Sequence, residues 1–262
     1  MKKLAFLIIF SFLLYPLFSA IGQSQPDYLG FTHKAEARNV TINNLKVGKW
    51  VEYMDSAGYF TKDTNAPFYC LTIYRSGKPF GRARAFYKDG RLRHLEPFIE
   101  GKRNGIAKTY YHSGKIQQEI PYNDDKKDGT VKEYYESGGL SVAVNYAADT
   151  KDGPSKYYYE SGAIKSEEPY SHDKLVGVVK LYYENGSIEM EMPYIDGKKN
   201  GIQKEYYPNG KLSIETPYVN DIIVGTVKEY YDSGTLKTET PYSQGAISGA
   251  IKSYDKNGNE VK

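Results

Sequence analysis

The sequence predicts an all-β chain: an elongated antiparallel sheet, or solenoid, of repeated 24-residue β-hairpins. Three observations lead there. A glycine recurs at Gly81, Gly105, Gly129, Gly153, Gly177, Gly201, Gly225 and Gly249, always 24 residues after the last, and self-similarity at a fixed period marks a repeat array. A second glycine holds the tenth place of every unit, Gly90 to Gly258, always preceded by Ser, Asn or Asp, which is hairpin-turn chemistry. The stretches on either side are rich in Tyr, Val, Ile and Thr, the residues of pleated strands. Helix is the poorer reading, because two glycines and usually a proline per unit leave no adequate helical window.

In chain order, Met1-Lys2-Lys3, an apolar run from Leu4 to about Ala20 and small residues at Ala20 and Gly22 read as a signal peptide over residues 1–22. The run approaches the length of an uncleaved membrane anchor; Pro16 and the small-residue exit favour cleavage, with no stable membrane insertion afterwards. Residues 23–47 are neither repeat nor low complexity and read as a linker or N-terminal cap. Residues 48–80 form a divergent first repeat. It starts Gly48-Lys49-Trp50-Val51-Glu52-Tyr53, and it carries a nine-residue insertion around Asp55 to Pro67, since Gly48 and Gly81 stand 33 apart. Residues 81–248 are seven regular units. Residues 249–262 are a partial capping repeat, where Asp255 replaces a tyrosine and Lys256 to Glu260 are polar, as suits a solvent-facing sheet edge.

Counted from the period glycine, the fourth place is always basic (Arg84, then Lys108 through Lys252), the sixth always aromatic, and the seventh Tyr in all full units. The twelfth is Leu or Ile, and the eighteenth is Phe98 or Tyr. Places 2 to 7 and 11 to 18 are the two strands, and places 19 to 24 are polar and turn-like. Two hairpin registers compete. A two-residue type I′ turn at the Asn-Gly tip sets place 4 opposite place 15, pairing Lys108 with Glu119 and Lys204 with Glu215. A three-residue loop with glycine in the left-handed region sets Tyr206 opposite Leu212, and it accommodates Pro208, which lacks the N–H that the shorter turn needs. The three-residue register fits better, because Leu95 and Ala143 stand where the ion pair requires Glu. It would gather places 4, 6, 12, 14, 16 and 18 on one face, leaving the seventh-place tyrosines on the other, less buried one.

Composition excludes several function classes. Without Lys2 and Lys3, 33 basic residues face 32 acidic ones, which provides no electrostatic footprint for nucleic acid and no polybasic membrane patch. Lone Cys70 allows no disulfide framework and no multi-cysteine metal site. His33, His94, His112 and His172 do not align between units, and no metalloprotease, nucleophile-elbow or phosphate-loop pattern occurs. Neither cofactor nor metal is expected. Asn39-Val40-Thr41 and Asn185-Gly186-Ser187 match the glycosylation acceptor pattern; the second sits in a repeat turn, where Asn-Gly has a conformational explanation.

The motif Gly-x-x-Lys-x-Tyr-Tyr-x-Ser/Asn-Gly-x-Leu, followed by Pro-Tyr, resembles the variant MORN-repeat family of bacterial antitoxin-like repeat proteins. The resemblance covers residues 81–262 closely and 48–80 loosely. It implies an extended sheet of hairpins with a binding or scaffolding role and supplies no catalytic residue. The antitoxin label fits an exported chain poorly, because such antitoxins meet their toxins in the cytoplasm. The candidate recognition surface is the seventh-place ladder, Tyr111, Tyr135, Tyr159, Tyr183, Tyr207 and Tyr231, since aromatic faces can bind peptide side chains or sugar rings. The expectation is an exported, secreted or periplasmic, non-catalytic module for protein–protein interaction or scaffolding. The alternative is a cell-envelope glycan-binding module using the same tyrosines.

Overall fold

The computed structural model describes residues 29–261; the segment read as a signal peptide lies outside them. Among the described residues there is no α-helix, only one turn of 3-10 helix at Lys34–Glu36 and 26 β-strands, every pairing antiparallel. The units follow one another across a continuous hairpin sheet. The unit at Gly201 is representative, with strands Gly201–Tyr206 and Leu212–Val219.

Its tip is the three-residue loop. The Tyr207 N–H donates to the Lys211 carbonyl and the Gly210 N–H to the Tyr207 carbonyl, both at 2.8 Å, and Gly210 has φ +81°. Tyr206 stands opposite Leu212, yet Lys204 stands opposite Glu215. Both sequence registers therefore occur in one hairpin. A one-residue bulge on the second strand, at Ser213, separates them, and the same shift recurs in the other full units. A second tight turn joins the units. Asn220 and Asp221 both have positive φ, 49° and 69°, so the two-residue type I′ turn lies here rather than at the tip.

The bulge corrects the expected face assignment. Side chains alternate along a strand, so one inserted residue exchanges everything beyond it between faces. Places 2, 4, 6, 12, 15 and 17 share one face, the ladder face. Places 14, 16 and 18 move to the opposite face, with places 3 and 5. The seventh-place tyrosines, continuing the first strand, also belong to that opposite face, which is the better buried one. Its third place is buried in five successive units, at Ala107, Val131, Ser155, Val179 and Gln203, and Val144, Ser166 and Thr216 from places 16 and 14 lie beside it. Ser155 is wholly buried and its hydroxyl finds no hydrogen-bond partner, whereas Ala107 and the two valines show that the site prefers an apolar group. Ser155→Ala is accordingly expected to raise stability by about 1 kcal/mol in urea unfolding, since a buried unsatisfied hydroxyl carries its full desolvation penalty.

The largest apolar cluster lies at the N-terminal end, where β1 (Val40–Ile42), β2 (Leu45–Met54), β3 (Phe60–Thr61), β4 (Phe68–Arg75) and β5 (Lys78–Tyr87) precede the regular hairpins. Phe31 packs there against Tyr69, Leu71, Ile73 and Phe86. Strand β4 covers the inner side of β2, while β1 and β3 pair with its outer side at opposite ends. The insertion thus supplies a strand, β3, that helps close a sheet edge which would otherwise be free to pair with another chain. Between them the Asn39 side chain accepts from the Val51 N–H at 2.9 Å and donates to its carbonyl at 3.1 Å. The asparagine of the first acceptor motif is therefore occupied in edge closure.

Candidate interaction surface

The six seventh-place tyrosines form a half-buried row in which each hydroxyl donates to the sixth-place carbonyl of the next unit. Tyr111 reaches the Tyr134 carbonyl and Tyr135 that of Tyr158 at 2.6 Å; Tyr159 reaches Tyr182 at 2.8 Å. Tyr183 and Tyr207 bond to the Tyr206 and Tyr230 carbonyls at 2.7 Å, and Tyr231 to that of Tyr254 at 2.9 Å. The structure thus brings all six together, and each fastens one hairpin to its successor near the tips.

A second latch, missed in the sequence, fastens the other margin. Asp125, Asp149, Asp173 and Asp221 accept through Oδ1 from the backbone N–H of Arg103, Lys127, Lys151 and Lys199 at 2.7–2.8 Å. Their own N–H groups donate to the carbonyls of the same residues. Asp or Gly occupies this twenty-first place in every full unit, Gly101 to Gly245. That restriction is the signal that marks it, because both types tolerate positive φ.

The ladder face carries a row of alternating charge across the strands. Lys156 stands opposite Glu167, Glu167 opposite Lys180, Lys180 opposite Glu191, and the alternation continues to Lys252. Lys108 lies 2.7 Å from Glu119 and Lys156 2.8 Å from Glu167. Each of these carboxylates also accepts from the sixth-place tyrosine of the following unit, Tyr134 to Glu119 and Tyr182 to Glu167 at 2.9 Å. Tyr206, Tyr230 and Tyr254 repeat the contact at 2.9–3.0 Å. Burial, reinforced by the accepting carboxylate, pushes the Tyr182, Tyr206 and Tyr230 hydroxyls up to about 12, so they remain donors at neutral pH.

The Lys156 hydrogen bond, then that of Tyr182, holds the Glu167 carboxyl below its ordinary 4.5. A depressed folded-state value contributes stability above the unfolded-state pKa, and that contribution fades as pH falls through the folded-state one. Glu167→Gln should therefore lower the melting temperature slightly at pH 7, as expected of a solvent-screened pair worth under ~1 kcal/mol. The difference from wild type should begin to shrink below about pH 4 and disappear only as pH falls through the folded-state value; a difference constant from pH 7 to 3 would contradict the ladder account.

Beside the charges, Pro154, Pro169, Val178, Pro193, Ile202 and Pro217 lie on adjacent strands of the same face. Val178 and Ile202 are 42% and 51% exposed. Elsewhere, Cys70 is half-buried beside the Met54 sulfur at 3.9 Å, and burial pushes its thiol up to about 12, which suppresses thiolate chemistry. Among the described residues no three His, Cys, Asp or Glu side chains gather to hold a metal ion, and no helix is long and apolar enough to cross a membrane.

Latched hairpins whose polar groups serve the neighbouring unit define a repeat protein that builds an extended sheet surface. Six consecutive segments, 103–124, 127–148, 151–172, 175–196, 199–220 and 223–244, match the MORN repeat variant. They span half of the chain, which belongs to that family. Each match begins at the twenty-third place, just past one type I′ turn, and ends inside the next, so the family frame and the turn frame coincide. The match does not distinguish an antitoxin-like subtype. Repeats of this kind are in general protein- or membrane-binding modules, and the family is non-catalytic. No curated protein sequence matches the chain.

Proposed function

We propose that the chain is an exported, non-catalytic scaffold that binds a protein partner along the ladder face. The observation carrying this reading is the apolar strip from Pro154 to Pro217, partly exposed beside a charge row that alternates in sign. An apolar strip flanked by polar groups has the anatomy of a protein interface. A near-neutral, alternating row offers an anionic membrane no net attraction. Export rests on the basic start, apolar run and small-residue exit of residues 1–22.

The glycan alternative on Tyr111, Tyr135, Tyr159, Tyr183, Tyr207 and Tyr231 is disfavoured, because their hydroxyls already serve backbone carbonyls. A sugar would find rings whose hydroxyl protons are already donated.

Pull-down from cell-envelope extracts beside a glycan array tests both. Partner capture should fall in a Val178→Ser, Ile202→Ser variant of unchanged melting temperature, with no glycan retained. Glycan retention that disappears on replacing Tyr159, Tyr183 and Tyr207 would select the alternative. Intact mass of the exported chain should show a start near Gln23.

A further inference from the structure

We infer that the gap in the charge row at Leu95 is a carboxylate-binding site that receives an acidic side chain from a partner's peptide segment. The inference deepens the protein-binding reading and rests on it. The regular units define what a filled position looks like: a glutamate at the fifteenth place, a lysine beside it, and a tyrosine hydroxyl from the next unit donating to it. Glu119 takes Lys108 at 2.7 Å and Tyr134 at 2.9 Å; Glu167 takes Lys156 at 2.8 Å and Tyr182 at 2.9 Å.

At Leu95 the carboxylate is missing while its partners remain. Arg84 stands opposite Leu95 on one side and Lys108 on the other. Tyr110, the equivalent of Tyr134 and Tyr182, has no acceptor for its hydroxyl among the described residues. Leu95, Lys108 and Tyr110 line a surface concavity of about 490 Å³ together with Arg82, Pro97 and Ile106, with no acidic side chain in its wall; Arg84 stands opposite Leu95 on the neighbouring strand, outside that wall. Burial, and then the neighbouring Arg82 charge, lower the Arg84 pKa. Burial disfavours charge of either sign, but the like charge of Arg82, which also weakens the Arg84 cation, favours an incoming anion.

The second gap, at Ala143, differs in a telling way. Its flanking lysines each have a glutamate on the far side, Lys132 opposite Glu119 and Lys156 opposite Glu167. At Leu95 only Lys108 has one; Arg84 has Leu71 instead. Uncompensated positive charge therefore concentrates at the first gap.

The chain also shows what this row accepts when its residue is apolar. Leu71, one position earlier in the row, is fully buried in a cluster with Phe31. The Phe31 carbonyl accepts from Arg84 at 3.5 Å. Residues 29–37 thus lay a peptide segment against the start of the row, with an apolar anchor beside a hydrogen bond to a cation. The adjoining concavity combines Leu95, Pro97 and Ile106 with a carboxylate's donors, which fits a segment carrying Glu or Asp next to an apolar residue. The regular rungs show a carboxylate satisfying this donor set, and that favours an acidic side chain over a lipid headgroup.

The test uses the full chain and a fluorescein-labelled peptide, Gly-Ser-Phe-Glu-Phe-Ser-Gly, with its Glu→Gln counterpart, titrated by anisotropy at low salt. Wild type should bind the Glu peptide about tenfold more tightly than the Gln peptide. Leu95→Glu, which supplies the row's own carboxylate, should abolish that preference while keeping the melting temperature at or above wild type. Ala143→Glu adds the same charge on the same face and should change affinity by less than about threefold. Equal losses in both variants would mean diffuse charge and overturn the site, as would the absence of any Glu/Gln preference. Binding to phosphatidylcholine/phosphatidylserine vesicles that Leu95→Glu abolishes, without peptide discrimination, would assign the concavity to a membrane surface instead. The Val178→Ser, Ile202→Ser variant should still bind the Glu peptide. Failure of the peptide arm with envelope-partner capture intact removes the carboxylate site and leaves the broader reading standing.

Discussion

Gly201→Ala is expected to lower the stability of the array by about 2–3 kcal/mol in urea unfolding, against about 1 kcal/mol for Gly177→Ala. Both are period glycines, so the contrast isolates a physical cause. The short strand Lys198–Lys199 pairs with Ile195 and Tyr194, whereas Lys204 already faces Glu191. Four residues, 200 to 203, thus oppose two, 192 and 193, and the backbone jogs outward through Gly201. There φ is +117°, and an added Cβ would meet Pro193 Cγ at 2.9 Å. The pyrrolidine ring cannot swing aside, so steric contact adds to backbone strain. At Gly177 φ is +72° and Pro169 Cγ lies 3.8 Å away, an ordinary contact. In a nearest-neighbour array the damage stays local. Hydrogen exchange should therefore accelerate around residues 193–204 before distant units respond. Equal costs for the two alanines would refute the contact argument.

The same jog shows which parts of the architecture the sequence discloses. The glycine period, the strand pair and the three-residue tip were legible because glycine and proline mark backbone states that other residues avoid. The bulge was not. Its thirteenth place holds Arg93, Gln117, Ser141, Lys165, Glu189, Ser213 and Lys237, ordinary strand-surface residues with no conformational signature. One unmarked residue was enough to exchange places 14, 16 and 18 between faces. The missing Glu at Leu95 and Ala143 then counted against an ion pair that forms in four of the hairpins, Lys108–Glu119, Lys156–Glu167, Lys180–Glu191 and Lys228–Glu239. Read with the bulge in place, those exceptions become the two gaps in a regular row, and one is a candidate binding site.

The six seventh-place tyrosines were visible as a pattern, but their role was hidden for a different reason. Each hydroxyl is received by a backbone carbonyl of the next unit, and a carbonyl leaves no residue type in the sequence to pair with. The aspartate latch has the same kind of backbone partner, yet it was recoverable, because its own residue must be Asp or Gly. The N-terminal cap is the opposite case. Phe31 contributes to the largest apolar cluster, but a single aromatic in a non-repeating segment has no period to announce it.

Replacing Tyr159, Tyr183 and Tyr207 together by Phe is expected to cost about 3 kcal/mol, roughly 1 kcal/mol for each hydroxyl–carbonyl bond removed. Consecutive sites are two strands, about 10 Å, apart and share no acceptor, so the three losses should add. The three single variants and the triple variant in urea unfolding check this; a triple cost no larger than one single would show that the latches are not independent. The substitution also settles what the rings do. Phe preserves the aromatic face and removes only the fastening, whereas Ala removes both and confounds lost recognition with a loosened sheet. If the rings touch a ligand, the triple Phe variant retains binding at temperatures where it is folded, and the Ala variant does not. If they only fasten hairpins, ligand affinity is unchanged in both variants once compared at equal folded fraction, and the recognition surface lies on the ladder face.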